Sequence, residues 1–189
     1  MKIPDYSPDH WLEYLRLDDQ KLLTRARRDT YKSSGKGGQK KNKTENAIRL
    51  VLGHLLVSET GSRSKEENLI GAVRKLRLAI ALDFLKGSEL RKSLTQPPVE
   101  VLPYLNQSEL RINPKNRAFP FFVGWFLDRY LFRRGDWEAT IKDLGTTKSQ
   151  ANKFVERNRA LMGALGQADE YLLVLNLIEG TSAPTKPVV

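Results

Sequence analysis

The sequence predicts an α+β protein, in which a small domain of a β-hairpin sheet and one long helix precedes an all-helical domain with a helix-turn-helix-like unit. Three observations predict this class. Residues 47–59 place apolar side chains at every second position on both sides of a Gly-His pair, as a hairpin does: Ile48, Leu50 and Leu52 before it, and Leu55 and Val57 after it. Residues 64–86 repeat apolar side chains with a helical period, and residues 120–180 turn helical in shorter segments.

The same patterns divide the chain into four segments. The small domain spans residues 1–86 and the helical domain spans residues 120–180, with a linker at 87–119 and a disordered tail at 181–189. The linker shows no sustained period and has room for one helical turn. It contains four prolines, which are Pro97, Pro98, Pro103 and Pro114. Proline removes a backbone donor and so disfavours both helix and sheet interiors.

The strands are predicted in the first domain. Residues 21–32 are basic and alternate weakly, which indicates a strand. In the hairpin, Ile48, Leu50 and Leu52 share one face. Gly53 begins a two-residue turn, and we expect type II′ because that turn needs a positive φ at its first position.

The longest predicted helix of the first domain covers residues 64–86. Ser64 and Glu67 have the spacing of a capping box, in which two side chains satisfy backbone donors at a helix start. One stripe of this helix is apolar, at Leu69, Ala72, Val73, Leu76, Ala79, Ile80 and Phe84. Such a stripe packs against a core.

Four helices are predicted in the second domain, at residues 121–135, 136–145, 147–165 and 168–180. An aromatic cluster accompanies the first of them, at Phe119, Phe121, Phe122, Trp125, Phe126, Tyr130 and Phe132. Its spacing of three and four residues favours core packing over base stacking.

Residues 136–158 have the pattern of a helix-turn-helix. One helix ends at Leu144-Gly145, a turn of a few residues follows, and a second helix begins near Lys148. The predicted core is Trp137, Ile141, Leu144, Ala151, Phe154 and Val155, and the outward polar positions include Lys148, Gln150, Asn152, Lys153 and Arg157. The alternative is a helical hairpin that only packs on its neighbours.

Composition points to a polyanionic partner. The chain has 189 residues, of which 40% are apolar, and 32 Lys and Arg against 22 Asp and Glu give a net charge of +10. A nucleic acid or an anionic membrane surface fits this charge. The absence of cysteine excludes disulfides, Cys-ligated zinc and a thiol nucleophile. The histidines, His10 and His54, lack metal-ligand spacing, so we expect no metal and no cofactor.

The chain shows no targeting or membrane signal. No apolar run approaches the roughly 20 residues that cross a bilayer, and the start MKIPDYSPDH lacks the regions of a signal peptide. A cytoplasmic monomer is expected, with a processed organellar protein as the alternative.

The segment SSGKGGQKKNKTEN, residues 33–46, combines three glycines, four lysines and one glutamine. It lacks the spacing of a phosphate-binding P-loop, and Glu45 has no second carboxylate beside it. Gln39 does not titrate, although its amide can donate and accept hydrogen bonds. Chemistry at this segment would therefore consist of positioning a water and stabilising a developing oxyanion.

The stretch SSGKGGQKKNKTENAIRL resembles the Gly-Gly-Gln motif of class I peptide chain release factors and of their stand-alone ribosome-rescue relatives. Asn42 and Lys43 follow the motif at the family's spacing, and RSKEEN, from Arg63 to Asn68, resembles the family's Arg-Ser-Gln-x-x-Asn helix start. The resemblance covers about residues 21–86. Three features depart from the family: Lys40-Lys41 stand where His-Val is usual, Lys65 replaces a glutamine, and the hairpin is shorter than in release factors.

The resemblance implies a peptidyl-tRNA hydrolase that works on the ribosome, with Gly37, Gly38 and Gln39 as catalytic residues in the peptidyl transferase centre. The glycines would let the backbone enter a pocket of RNA where a Cβ collides. The Gln39 N–H would stabilise the transition state, and its side chain would admit water. The family's glutamine is often N5-methylated, which makes Gln39 a candidate for a Gln methyltransferase.

The resemblance also guides the expected contacts. Release factors that read stop codons carry long domains before this one, whereas about 20 residues precede it here, so we expect codon-independent rescue of stalled ribosomes. The last ten residues, GTSAPTKPVV, hold one lysine and lack the basic tail of small rescue factors. Recognition is therefore assigned to the C-terminal half, with an additional rescue protein as a candidate partner. The expected RNA contacts are Lys36, Lys40, Lys41, Asn42, Lys43, Arg63, Lys148 and Lys153.

Two other interpretations stay open. One is a ribosome- or RNA-binding protein of the same fold without hydrolytic activity. The other is a DNA-binding regulator that uses the helix-turn-helix at residues 136–158. The intact Gly37-Gly38-Gln39 favours the hydrolase, because a protein that only binds does not need this tripeptide.

Overall fold

The protein was analysed as a computed structural model, which describes residues 5–32, 46–107 and 109–180. These residues form two compact units, Met1–Glu89 and Leu90–Val189. The protein is α+β: a three-stranded antiparallel sheet lies in the first unit, and four of the seven α-helices in the described ranges lie in the second.

The first unit contains three helices and the sheet. A 3-10 turn at Pro8–His10 precedes α1 (Trp11–Arg16) and α2 (Asp19–Arg25), and α3 (Lys65–Leu82) follows the sheet. The strands are β1 (Arg27–Tyr31), β2 (Ala47–Leu52) and β3 (Leu55–Glu59), in the order β1-β2-β3. The short strands β4 (Leu85–Lys86) and β5 (Glu89–Leu90) pair with each other.

The predicted hairpin is confirmed. Leu52 pairs with Leu55 across the two-residue turn, and Gly53 has φ 57°, the left-handed conformation that the turn requires. Ile48, Leu50 and Leu52 are at most 3% exposed. Because α3 packs on β2 and β3, this face of the sheet forms the core of the unit.

The prediction of a strand over residues 21–32 is half wrong. Its first half belongs to α2, and only Arg27–Tyr31 is extended. The Asp18 carboxylate caps α2 by accepting a hydrogen bond of 2.7 Å from the Lys21 N–H. Leu22 is fully buried on this helix. The cap and this burial decide the conformation against a weak alternation of basic side chains.

Helix α3 begins as predicted and ends earlier, at Leu82 instead of residue 86. The Ser64 Oγ accepts a hydrogen bond of 3.3 Å from the Glu67 N–H, which is half of a capping box. At the other end Asp83 is extended, and its carboxylate accepts a hydrogen bond of 2.6 Å from the Tyr6 hydroxyl. Phe84 is buried just after the helix has ended.

The second unit is built mainly from helices. A 3-10 turn at Leu102–Tyr104 precedes α4 (Phe119–Phe132), α5 (Trp137–Leu144), α6 (Lys148–Glu156) and α7 (Arg159–Glu179). The sequence predicted helices at 147–165 and 168–180, whereas the break falls at residues 157–158 and α7 runs on without interruption. Asn158 ends the preceding helix, since its Nδ2 donates to the Phe154 carbonyl at 2.6 Å.

The segment predicted as a linker, residues 87–119, belongs mostly to the second unit, which begins at Leu90. Arg91 is buried and donates from Nη2 to the Gly124 carbonyl at 3.0 Å. The Leu94 N–H donates to Asp128 at 3.2 Å. Burial raises the pKa of Asp128, and the neighbouring Arg129 and Arg91 oppose that rise. These contacts hold residues 91–94 on α4.

The aromatic cluster is core, as predicted, with one exception. The buried members are Phe119, Phe121, Phe122, Trp125, Phe126 and Tyr130. Phe132 is 53% exposed, and the guanidinium of Arg129 lies 4.6 Å from its ring centre. Within the part of the chain that the structure describes, none of the helices has the length and apolarity needed to span a membrane.

Candidate functional site

Most of the predicted site residues lie outside the described residues. They are Gly37, Gly38 and Gln39, with the candidate modification at Gln39, and Lys36, Lys40, Lys41, Asn42 and Lys43. Three predicted RNA contacts lie inside them, namely Arg63 in the first unit and Lys148 and Lys153 in the second. The site is therefore described from the residues that flank the Gly-Gly-Gln segment and from α5 and α6.

The segment is flanked by two paired strands. Strands β1 and β2 are antiparallel, and their ladder ends at the pair of Tyr31 and Ala47. Lys32 and Asn46 are the described residues next to the segment on either side. Because Tyr31 and Ala47 pair directly, the chain enters and leaves the segment at the same end of the sheet.

Four residues on the C-terminal side of the segment form a hydrogen-bonded group, here called the loop base: Asn46, Ser62, Arg63 and Asn68. The Asn68 amide donates to the carbonyls of Asn46 at 2.7 Å and Ser62 at 2.9 Å. Its oxygen accepts from the Ser62 N–H at 2.8 Å. The Asn46 amide donates to the Arg63 carbonyl at 2.6 Å. Asn68 is 1% exposed, whereas the Arg63 side chain is exposed.

Glu59 orders the start of the turn that leads into the loop base. Its carboxylate accepts from the N–H groups of Thr60 at 3.0 Å and Gly61 at 2.9 Å, and it lies 3.1 Å from Lys75 Nζ. Partial burial would raise the pKa of Glu59, but these hydrogen bonds and the lysine outweigh it and lower the pKa. A Cβ on Gly71 of α3 would lie 2.9 Å from Glu59 Cγ, so the carboxylate needs a glycine there.

Basic side chains that the sequence analysis did not select also lie on β1 and β2, the two strands that flank the segment. Arg27 and Arg28 are exposed on β1, and Arg49 of β2 places its guanidinium 4.9 Å from the ring centre of Tyr31. The run Arg-Ala-Arg-Arg at residues 25–28 was the available signal. It was used only as evidence for a strand.

In the second unit, α5 and α6 are joined by a short turn. Gly145 ends α5 with φ 62°, and the Thr147 hydroxyl caps α6 by accepting from the Gln150 N–H at 3.3 Å. All six residues predicted as the core of this pair are buried: Trp137, Ile141, Leu144, Ala151, Phe154 and Val155.

The five polar residues predicted to point outward from α6 and its C-cap divide into two groups. Three contact their own unit: Lys148 Nζ lies 3.0 Å from Glu138, Asn152 accepts from the Trp137 indole at 3.1 Å, and Gln150 accepts from the Leu110 N–H at 3.4 Å. Lys153 and Arg157 are exposed and four residues apart, which places them on one side of the helix. Lys153 and Arg157 are therefore better candidates than Lys148 for contact with an anionic partner, because Lys148 is already paired with Glu138.

The comparison with protein families confirms the resemblance seen in the sequence. Residues 19–98 match the model of the RF-1 domain, which is the Gly-Gly-Gln domain of class I release factors. This part of the chain is therefore similar to the RF-1 domain. The match supports a release-factor-like role in translation termination or rescue, together with an interaction with the ribosome. No curated protein and no solved structure matched the chain.

Proposed function

We propose that the protein hydrolyses peptidyl-tRNA on stalled ribosomes without reading a codon. The observation that carries the proposal is the RF-1 domain over residues 19–98, within which Gly37-Gly38-Gln39 is intact. The loop base and the paired ends of β1 and β2 support it, because they give the tripeptide a fixed point of attachment.

The reaction is the attack of water on the ester carbonyl that joins the peptide to the tRNA ribose. Negative charge develops on the carbonyl oxygen and then on the leaving ribose oxygen. As the ester bond breaks, the ribose oxygen takes up a proton and the attacking water loses one, so the proton count balances. Gln39 does not titrate, so it contributes hydrogen bonds and no proton transfer. Its backbone N–H stabilises the developing charge, and its amide orients the water. Gly37 and Gly38 allow the backbone to approach the RNA closely.

Recognition of the stalled state is assigned to the second unit. We propose that α5 and α6 act as a helix-turn-helix-like unit that contacts RNA phosphates through Lys153 and Arg157. The glycine at the turn and the six-residue buried core support this reading. N5-methylation of Gln39 by a methyltransferase and the need for an additional rescue protein belong to the same proposal. Mass spectrometry of Gln39 and release assays in cell extract test these two points.

The first prediction tests the tripeptide with a matched pair of variants. Gly38→Ala should lower peptide release at least about 100-fold, the loss typical of one oxyanion donor, because the Cβ prevents the backbone approach. Ribosome binding should change only a few-fold, since the lysines remain. Gly163→Ala is the control, because a Cβ there meets nothing within 4 Å. The measurement is release from ribosomes that hold peptidyl-tRNA, with and without mRNA in the decoding site.

The outcomes separate the interpretations. Equal release by wild type and Gly38→Ala contradicts the assigned mechanism. Ribosome binding by the wild type without any release supports the RNA-binding alternative. Release only when a stop codon occupies the decoding site contradicts codon independence.

A further inference from the structure

Asn68 is a buried polar side chain whose partners are all backbone groups. It is 1% exposed, and its three hydrogen bonds reach residues 6 and 22 positions away in sequence. A buried amide is stable only when its donors and acceptor are satisfied. The site therefore requires a short side chain with two hydrogen-bond donors and one acceptor, and the asparagine amide provides these groups.

Neither close relative of this side chain meets that requirement. Aspartate has the same shape, but when ionised it only accepts, so it would place an oxygen against the carbonyls of Asn46 and Ser62. Leucine would leave these two carbonyls and the Ser62 N–H without their partner. The choice of asparagine is thus explained by the loop base and not by packing.

The contact with Asn46 lies outside the part of the sheet that the ladder stabilises. The last paired residue of β2 is Ala47, so Asn46 is the first residue beyond the ladder. The contact of α3 with the sheet is already made by buried apolar side chains such as Ile48, Leu50 and Ile80. The hydrogen bonds of the loop base therefore set the path of the chain at the end of the Gly-Gly-Gln segment.

A second tie joins the same residue to a candidate RNA contact. The Asn46 amide holds the Arg63 carbonyl at 2.6 Å, while the Arg63 side chain is exposed. Asn68 and Asn46 thus join the end of the segment to the backbone of Arg63 through one group of hydrogen bonds. A group of this kind reduces the conformations that the attached loop must give up on reaching its target.

We propose that Asn68 is a positioning residue for hydrolysis: through Asn46 it sets the direction in which the Gly-Gly-Gln segment leaves the sheet. This inference rests on the proposed function. Asn68 lies on α3, 29 positions after Gln39 in the sequence. Its side chain acts on the reaction only through the backbone of Asn46.

The test compares Asn68→Asp with Ile80→Val in the full-length protein. Both positions are buried on α3, and Ile80 lies away from the loop base contacts. Asn68→Asp should lower kcat for peptide release about 10-fold, with ribosome affinity within a few-fold of wild type, as expected when reacting groups are misplaced and binding is kept. Ile80→Val should lower the unfolding midpoint and leave kcat unchanged. Equal kcat values for wild type and Asn68→Asp overturn the proposal.

A second variant covers a failure of Asn68→Asp to fold. Asn68→Ser introduces no charge and keeps a hydroxyl that can donate to one of the two carbonyls. Its kcat should fall about threefold or more, because at least one of the hydrogen bonds to Asn46 and Ser62 is lost. A kcat equal to wild type in this variant also overturns the proposal.

A third measurement separates this inference from the proposed function. Lys36, Lys40, Lys41 and Lys43 are trypsin sites within the segment. Under native conditions, cleavage there should be faster in Asn68→Asp than in Ile80→Val. If the wild type releases no peptide, the proposed function fails while faster cleavage still supports the role of Asn68 in holding the segment. Equal cleavage rates contradict that role.

Discussion

At the scale of single residues, Glu59 shows how a local contact supports the site. Its carboxylate accepts two backbone hydrogen bonds at the start of the turn that carries Arg63, and Lys75 of α3 adds an ion pair. The pKa of Glu59 is lowered although partial burial opposes this. The ionised form is therefore the one that stabilises the turn.

The lowered pKa of Glu59 predicts how the stability of the fold depends on pH. A carboxyl group with a lowered folded-state pKa stabilises the fold above its unfolded value of about 4.5, and that stabilisation is lost as the pH falls through the folded-state value. Glu59→Gln should be about 1 kcal/mol less stable than wild type at pH 7, and the difference should shrink as the pH falls below 4.5 and through the lowered folded-state pKa. Denaturant unfolding at pH 7 and at a series of lower pH values measures it. Glu13→Gln, at an exposed position of α1, is the control, and a difference that persists at low pH contradicts the assignment.

Single residues also mark the limit of what the sequence predicts. The Ser64 cap and the glycine turn at Gly53 were predicted because these signals act within a few positions. The loop base was not predicted, since Asn68 finds its partner at Asn46, 22 positions earlier. Such a contact exists only once the helix and the sheet have been placed together.

At the scale of elements, the turn between α5 and α6 depends on Gly145. The residue has φ 62°, and a Cβ there would lie 2.0 Å from the side-chain oxygen of Asn106. A substitution would thus meet two separate penalties. One is backbone strain, and the other is a collision with the preceding segment of the same unit.

These penalties can be measured apart. Gly145→Ala should destabilise the second unit by about 1–2 kcal/mol from strain alone, with the collision in addition. Adding Asn106→Gly removes the colliding side chain and leaves the backbone nitrogen of residue 106 at 3.0 Å from the Cβ. The double variant should therefore recover the side-chain part of the collision and keep the strain. Thermal unfolding measures both. Gly163→Ala is the control for a helical glycine with free space around it, and it should raise stability by up to about 1 kcal/mol. Equal stability of the single and double variants would show that the Asn106 contact does not matter.

The helix boundaries show why some elements could not be predicted. Helix α2 has seven residues, and its burial of Leu22 outweighs a weak strand pattern. The break at Asn158 arises from a side chain that bonds the preceding turn. The boundary predicted between residues 165 and 168 is absent, because α7 continues through this stretch without a break.

At the scale of the whole molecule, the basic side chains behind the net charge of +10 fall into two groups: those that make contacts within the fold and those that are exposed to a partner. Some cations serve the fold: Arg91 and Arg129 are buried in the second unit, and Lys148 is paired with Glu138. Lys153 on the same helix as Lys148 is exposed. From the sequence both lysines were predicted to contact RNA. The ion pair between Lys148 on α6 and Glu138 on α5 forms only when the two helices pack together, so the sequence pattern does not reveal it.

The two lysines form a matched test of RNA contact. Lys153→Ala and Lys148→Ala remove the same charge from the same helix. If Lys153 meets a phosphate, its loss should reduce the slope of log affinity for ribosomes against log salt by about 0.7–0.9, whereas the loss of Lys148 should change the slope less. Binding measured over a series of salt concentrations decides this. Unchanged slopes in both variants contradict the assignment of recognition to α6.

The approach of Gly71 to Glu59 has a consequence for how this chain can vary. A side chain at position 71 would displace the carboxylate, whose Cγ lies 2.9 Å from where the Cβ would sit. Alanine at this helical position would raise intrinsic helix propensity by about 1 kcal/mol, yet it would disturb the turn that leads to Arg63. Positions 59 and 71 are therefore interdependent: a side chain at position 71 requires Glu59 either to leave its present position or to be replaced by a shorter residue. Substitutions accepted during divergence should occur at the two positions together.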